Sequence, residues 1–403
     1  MMNYISYLAI RLVALPLAYL PYRWLHALGK GMGSIAYPLL SKFRKRALAN
    51  LAAAPALSLT PAEIRSLAKA SFQSLMITCL EYPRLARETD ISRIASCENP
   101  EKANEIMAEG KGVIFFCGHQ ANWELLFLEG TSRMPGIAIG RPIKNRLLYN
   151  YVLQMRQKFG GTIIPPKDAI KEGLRALKAG KFLGIVGDQG MPGSGYSSSF
   201  LGRKAWTSPV PALLAYKTNT PLIVATTTRK NGKYSIHYSD PLFPDKTQPK
   251  ETEVPRLMDA ALSLFEEGVK KHLGEWMWIH NRWKQQTTDA IRRPFRHDTL
   301  AIFLPDAPDL LEKLPLFRKL YPTEEITLFV PKKLKPQVTL EAEVIPYTHL
   351  KDLLTEDYRF KLLFNFTQNK EIDRHFAKHS ALKIHHPTSI DSELETLIRG
   401  THG

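Results

Sequence analysis

A histidine and a carboxylate, His119 and Glu124, stand five positions apart in the stretch Gly112-Val-Ile-Phe-Phe-Cys-Gly-His119-Gln-Ala-Asn-Trp-Glu124. An imidazole removes a proton from a hydroxyl near neutral pH, and a carboxylate beside it fixes the tautomer and supports the imidazolium that forms. The pair therefore reads as a general base with its orienting acid. Other nucleophile signatures are missing: the chain has no Gly-x-Ser-x-Gly elbow, no His-Glu-x-x-His motif and no Walker A loop. Cys117 lies two residues before His119 and keeps a Cys/His thiol mechanism open, against the ordinary role of a strand cysteine as a small core residue.

The flanking residues place this pair in the fold. Val113 to Cys117 is a short apolar run with β-branched and aromatic character, the pattern of a strand covered on both faces, and Gly118 ends it. A helix is expected from Asn122, with Asn122 as N-cap and Gly130 as its stop. His119 then sits in the turn and Glu124 in the first helical turn. In open α/β sheets ligands bind at the carboxyl ends of strands, where the N-terminus of the next helix favours an oxyanion or a phosphate.

Several ordered segments resemble the lipid A biosynthesis lauroyl/myristoyl acyltransferases of the lysophospholipid acyltransferase superfamily. They are His119-Gln-Ala-Asn-Trp-Glu124, Gly140-Arg141-Pro-Ile-Lys144-Asn145, Met155-Arg156-Gln-Lys-Phe-Gly160-Gly161, Gly187-Asp188-Gln189, Phe200-Leu-Gly202-Arg-Lys-Ala205 and Trp276-Met-Trp278-Ile-His280-Asn281-Arg282-Trp283-Lys284. The resemblance covers roughly residues 1 to 290 and matches the type with Glu as the acid; Asn281 and Trp283 depart from the more usual Arg and Phe. It implies that His119 takes the proton of an acceptor hydroxyl, which attacks a thioester carbonyl, while Glu124 holds the imidazole. Arg156, on a helix ending at Gly160-Gly161, and the helix N-terminus after His119 are the expected oxyanion stabilisers. Asp188-Gln189, after a strand over Phe182 to Val186, forms the second wall, or else Asp188 caps the loop Gly190-Met-Pro-Gly-Ser-Gly195. Arg141 and Lys144 read either as a solvated basic loop or as a contact for phosphate or carrier protein. Asn122, Trp123, Arg141, Lys144, Asp188 and Gln189 make up the expected substrate-binding set. The implied reaction moves an acyl chain from an acyl carrier protein thioester to a hydroxyl of a lipid A precursor, without metal or cofactor. A glycerolipid or lysophospholipid acyltransferase, and a non-catalytic basic membrane adaptor, are the alternatives.

Composition points toward an anionic surface. The 403 residues are 44% hydrophobic, enough for a large core plus a smaller unit, and carry a formal charge of +17. Such an excess suits nucleic acid, an anionic membrane or an acidic protein partner. No helix-turn-helix signature, RNP element or Cys/His zinc module accompanies it, so nucleic acid is not expected. Residues 4 to 22 form an aromatic-flanked apolar segment interrupted by Arg11 and Pro16: a marginal transmembrane span and a good interfacial anchor, with no convincing signal-peptide cleavage pattern. Lys42, Arg44, Lys45 and Arg46 follow a second apolar stretch, Ile35 to Leu40, and favour the cytoplasmic face of the inner membrane. Cys79, Cys97 and Cys117 are odd in number and unpaired in spacing, as suits a reducing compartment, where the acidic acyl carrier protein is found.

The expected fold is α/β in three parts: a helical, membrane-anchoring region over 1–95, an acyltransferase α/β core with a central sheet over 96–290, and a small Rossmann-like α/β domain over 297–403. Thr60-Pro-Ala-Glu63 starts a helix as a capping box. The core's strands are placed at 112–117, 136–140, 182–186, 222–228 and 233–238, followed by a helix over 254–272. Trp276 and Trp278 read as core; His280 and Arg282 either face the site or pin the segment down, and the structural role is favoured for both. A linker is expected over 285–296. Beyond it, strands at 300–304, 326–330, 342–345 and 361–366 alternate with helices at 308–319, 350–354 and 372–379, a pattern distantly similar to the N-terminal half of Rossmann-type glycosyltransferases. With no Gly-x-Gly-x-x-Gly loop, a docking or regulatory role is expected there, and His375, His379, His385 and His386 are expected to be surface residues.

Overall fold

Four helices precede the sheet in the computed structural model, which describes residues 2–285 and 298–386. They are α1 (Met2–Leu17), α2 (Tyr22–Leu39), α3 (Ser41–Ala52) and α4 (Pro61–Leu85). The capping box at the start of α4 is complete: Thr60 Oγ1 accepts the Glu63 N–H and the Glu63 carboxylate accepts the Thr60 N–H. Gly33 lets α2 lie directly on α4, since a Cβ there would stand 2.4 Å from the Gln73 Cα. The outer faces of α1 and α2 leave Ile5, Leu12, Val13, Trp24, Ile35 and Leu39 exposed. Among the described residues no helix is long and apolar enough to cross a membrane.

The core sheet follows, built from β1 (Ala95–Cys97), β2 (Val113–Cys117), β3 (Gly136–Ile139), β4 (Thr162–Ile164), β5 (Phe182–Val186), β8 (Leu222–Lys230) and β9 (Lys233–Tyr238), with β6 (Ser197–Phe200) and β7 (Arg203–Trp206) forming a separate hairpin. Strand order is β1-β9-β8-β2-β5-β3-β4, parallel throughout except for the antiparallel β8/β9 pair. The intervening helices are α5 (Glu101–Ala108), α6 (Glu124–Arg133), α7 (Arg146–Arg156), α8 (Ala169–Lys178), α9 (Val210–Thr218) and α10 (Lys250–Lys271). Side chains of the central strands alternate between two apolar layers: Ile114, Phe116, Leu183 and Ile185 pack with α9 and α10, and Val113, Phe115, Cys117 and Phe182 pack with α6. β2 and β5 pair from Val113 with Phe182 to Cys117 with Val186. Their carboxyl ends therefore finish side by side, and the residues just beyond them emerge into one crevice.

The C-terminal unit is a five-stranded, all-parallel sheet of β10 (Thr299–Phe303), β11 (Glu325–Pro331), β12 (Glu343–Tyr347), β13 (Leu362–Asn365) and β14 (Lys383–His385) in the order β12-β11-β10-β13-β14. This is doubly wound, and both faces carry apolar layers beneath α11 (Leu314–Leu320), α12 (Lys370–His379) and shorter helical turns. The expected helix over 308–319 divides into a 3-10 turn over Pro308–Lys313 and α11, and the expected helix over 350–354 is a 3-10 turn. His385 is not on the surface: it is 3% exposed, with its ring stacked on Phe364. Apart from Gln285, the expected linker over 285–296 lies outside the described residues.

Candidate active site

His119 lies just past β2, in a turn that the structure holds tightly. A side chain at Gly118 forces its neighbours to shift, because a Cβ would stand 2.1 Å from Phe265 Cζ and 2.8 Å from Asp188 Oδ2. Ala121 adopts φ +48, a left-handed conformation that costs a non-glycine residue about 1 kcal/mol. Its neighbours fix it: the Ala121 N–H donates to Glu275 O at 2.9 Å and its carbonyl accepts from Thr78 Oγ1 at 2.8 Å.

The carboxylate on the imidazole is Asp188, not Glu124. His119 Nδ1 lies 2.7 Å from Asp188 Oδ1, and the His119 backbone N–H donates to Oδ2 at 2.8 Å. Trp276 Nε1 donates to the same Oδ2 at 2.8 Å. Asp188 is buried, which alone would raise its pKa, but the His119 imidazole and the hydrogen bonds from His119 hold it well below the usual carboxylate range. An ionised Asp188 accepts Nδ1–H, so the neutral imidazole carries its lone pair on Nε2. Burial works to lower the His119 pKa, yet the adjacent Asp188 charge overrides it and leaves the imidazole raised above its ordinary value. The alternative reading of Asp188, as a cap of the Gly190 loop, gives way to its bonds with His119 and Trp276.

Glu124 has a different partner. Arg156 donates to it as a fork, Nε to Oε2 at 2.7 Å and Nη2 to Oε1 at 2.5 Å, and Tyr82 OH donates to Oε1 at 2.5 Å. Burial would lower the Arg156 pKa and Glu124 more than offsets it, so the guanidinium stays charged. Arg156 thus commits Nε and Nη2 to a carboxylate, and Glu124 begins α6 with its N–H capped by Asn122 Oδ1 at 3.2 Å. The helix runs past the expected stop at Gly130 to Arg133.

The remaining expected residues divide. Trp123 packs edge-on to His119, with ring centroids 4.8 Å apart. Asn122 is fully buried and donates to Glu81 Oε2 at 2.8 Å, and Glu81 also accepts Tyr234 OH and contacts His26, so Asn122 braces the turn from behind. Gln189 is exposed beside Asp188, and Arg141 and Lys144 are exposed on the loop before α7. Cys117 is buried in β2 with its thiol pKa pushed up by burial, which removes the thiolate that a Cys/His mechanism requires. Among the described residues no group of three or more His, Cys, Asp or Glu side chains is arranged to hold a metal ion.

Two participants escaped sequence reasoning, and a third, His280, lies beside the site as one of its two readings has it. Trp276, read as core, is 1% exposed but spends its indole N–H on Asp188. Tyr82 completes the Glu124 cluster from α4. His280, read as facing the site or as a pin, has its ring 6.1 Å from that of His119; burial pushes its pKa down to about 4, so it is neutral, with Nε2 buried and unpartnered among the described residues. Arg282 does act as a pin, donating to Trp206 O and Thr207 Oγ1.

The bacterial lipid A biosynthesis acyltransferase family model matches residues 1–285, more than half of the chain and all of the site. The chain belongs to this family. As a lipid A acyltransferase it is an O-acyltransferase enzyme, which removes the adaptor alternative. Among curated proteins, comparison finds no match. The C-terminal sheet lies outside the family match.

Proposed function

We propose that this lipid A acyltransferase uses His119 as general base and Asp188 as its orienting carboxylate, transferring an acyl chain from an acyl carrier protein thioester to a hydroxyl of a lipid A precursor. His119 Nε2 takes the hydroxyl proton, and the oxygen attacks the thioester carbonyl. The tetrahedral intermediate then expels the thiolate, which recovers the proton from the imidazolium. The observation that carries this reading is the 2.7 Å contact between His119 Nδ1 and an Asp188 that is itself held by two further N–H donors. Glu124 serves by clamping Arg156, which places a fixed cation at the edge of the site for an anionic substrate group. Trp123 supplies an apolar wall, and Gln189, Arg141 and Lys144 are substrate contacts available from the rim.

An apolar groove of about 620 Å³ supports a lipid substrate: it runs between α1, α4 and α7, past Val13, Leu17 and Leu148, and ends on Tyr82 and Arg156. A larger cavity, about 770 Å³ between β8, β9 and α10, is lined by none of the His119 cluster and is left out of the reaction. Exposed apolar residues on α1 and α2 suit an interfacial anchor at the cytoplasmic face of the inner membrane, where the anionic leaflet and the acidic carrier both match the charge of +17. Of the basic cluster on α3, Lys45 and Arg46 bond internally to Ala381 O and Ile279 O, so the membrane-facing charge lies mainly elsewhere. Mass spectrometry of lipid A from cells with and without the chain tests the substrate assignment: loss of one acyl group supports it, and an unchanged lipid A overturns it.

A further inference from the structure

Residues 275–283 form a strap across the His119 turn. The Ala121 N–H donates to Glu275 O at 2.9 Å and the Met277 N–H to His119 O at 3.0 Å, so strap and turn pair as a short antiparallel ladder. This pairing delivers Trp276 to Asp188 and brings His280 beside His119. The far side of the strap is held by one buried amide. Asn50 of α3, 1% exposed, donates from Nδ2 to Trp278 O at 2.7 Å and to His280 O at 2.6 Å.

An amide that turns its NH2 toward two carbonyls must offer its oxygen to a donor, and the C-terminal unit supplies it. Lys361, next to β13 and 1% exposed, donates from Nζ to Asn50 Oδ1 at 2.7 Å. An ammonium has donors only, so it admits one orientation of the Asn50 amide. Lys361 is neutralised by Asp298, 2.7 Å from Oδ1, and Arg203 of the β6/β7 hairpin donates to the Asp298 carbonyl at 2.8 Å while pairing with Glu325. Two cations and two carboxylates are thus placed where the C-terminal unit meets the core. Nothing in the ordinary docking of an independent module requires a buried lysine to reach a carbonyl-binding amide of the other unit.

We propose that Lys361 is a positioning residue for acyl transfer: acting through Asn50, it sets the strap that carries Trp276 and His280 onto the His119–Asp188 pair. The C-terminal unit thereby completes the catalytic centre of the N-terminal one. This rests on the reading of the His119 cluster as the reacting site.

The test uses the full chain with an acyl carrier protein thioester as donor and a detergent-dispersed acceptor, with kcat, KM for donor and Tm measured together. Lys361→Met is expected to lower kcat at least about tenfold with KM changed less than about threefold, and Asn50→Ala combined with Lys361→Met should be no worse than Asn50→Ala alone. Asn50→Asp breaks the strap end of the link and keeps an acceptor for Lys361: its carboxylate cannot donate to the two strap carbonyls, so kcat should fall about tenfold, with a drop in Tm from the two buried carbonyls left without a donor. Phe376→Ala, which loosens the C-terminal unit's own core, should lower Tm and keep kcat within about threefold. The proposal is overturned by parental kcat in Lys361→Met or Asn50→Asp, by additive effects in the double variant, or by Phe376→Ala losing kcat as Lys361→Met does. His119→Ala is run alongside: its retention of turnover would overturn the base assignment, while the coupling of Lys361 with Asn50 is read independently.

Discussion

Asp188 grips His119 at two points, accepting its backbone N–H at 2.8 Å and its Nδ1 at 2.7 Å across 69 residues of sequence. The double contact fixes both the position of the turn and the orientation of the ring. It follows from the parallel pairing of β2 with β5, which ends both strands at the same edge. In the proposed role as base, an imidazole held in this way meets its substrate with the proton-accepting nitrogen already aimed, and it reorganises little as charge develops.

His119→Ala removes the proton acceptor and leaves the binding surface nearly whole. Turnover should fall by at least about 10³-fold with donor affinity little changed. Steady-state kinetics of acyl transfer check this; a loss within about tenfold would rule out general-base catalysis by His119.

The raised pKa of His119 gives activity a defined pH dependence. The base works only when neutral, and Asp188 favours the protonated ring, so kcat/KM should climb with pH through a midpoint above about 6.5. The sign for stability is the reverse. The extra stabilisation of folded, protonated His119 is fully present below the ordinary histidine pKa and is lost as pH rises through the raised one. A pH–rate profile paired with Tm across the same range shows both limbs moving in opposite directions.

A side chain at Gly118 forces its neighbours to shift, because the added carbon would meet Phe265 and the Asp188 carboxylate together. Gly118→Ala should cost about 1–3 kcal/mol of stability by overpacking and also displace Asp188 from His119. Chemical denaturation and turnover measured on the same variant check it, and unchanged values for both would show that the turn relaxes freely.

Arg156→Lys loses the fork that engages Glu124. The point charge of a lysine cannot make both bonds to this buried carboxylate, so Tm should drop even in the absence of substrate. A variant with parental Tm but weakened substrate binding would assign Arg156 to the ligand alone.

Much of this site was legible in the sequence, and what was not has a common cause. The strand–Gly–His pattern placed His119 correctly at the end of β2, and the capping box of α4 appears where Thr60 and Glu63 require it. Glu124 drew the orienting role because it is near in sequence, whereas Asp188 becomes near only once β5 is known to lie beside β2. Asp188 was visible as a strand-end wall, yet its partner was not. Trp276 was hidden for another reason: a buried indole reads as packing until the direction of its N–H is known. Strands β1 and β4, three residues each, are too short to show a period, and the serine-rich β6 resembles a loop. His385 looked like a surface residue because the three-residue strand that buries it gave no signal.

Deleting residues 2–17 should do more than release the protein from membranes, since α1 forms one wall of the groove that ends on Arg156. The membrane-bound fraction should fall, and KM for a lipid acceptor should rise even in detergent micelles. Sedimentation with liposomes and kinetics in detergent separate the two effects; an unchanged KM in detergent would limit α1 to anchoring.

The measurement that bears most directly on the assignment of base and acid is the pH–rate profile of Asp188→Asn beside that of Glu124→Gln. Asp188→Asn should lower kcat by about 10²- to 10⁴-fold and shift the acid limb to lower pH, because the imidazole loses both its tautomer control and the charge that raises its pKa. Glu124→Gln should move that limb in the same direction but by less, because Glu124 adds a smaller share to the raised imidazole and its main partner is Arg156. The reverse result, a limb moved by Glu124→Gln and left in place by Asp188→Asn, would contradict the account.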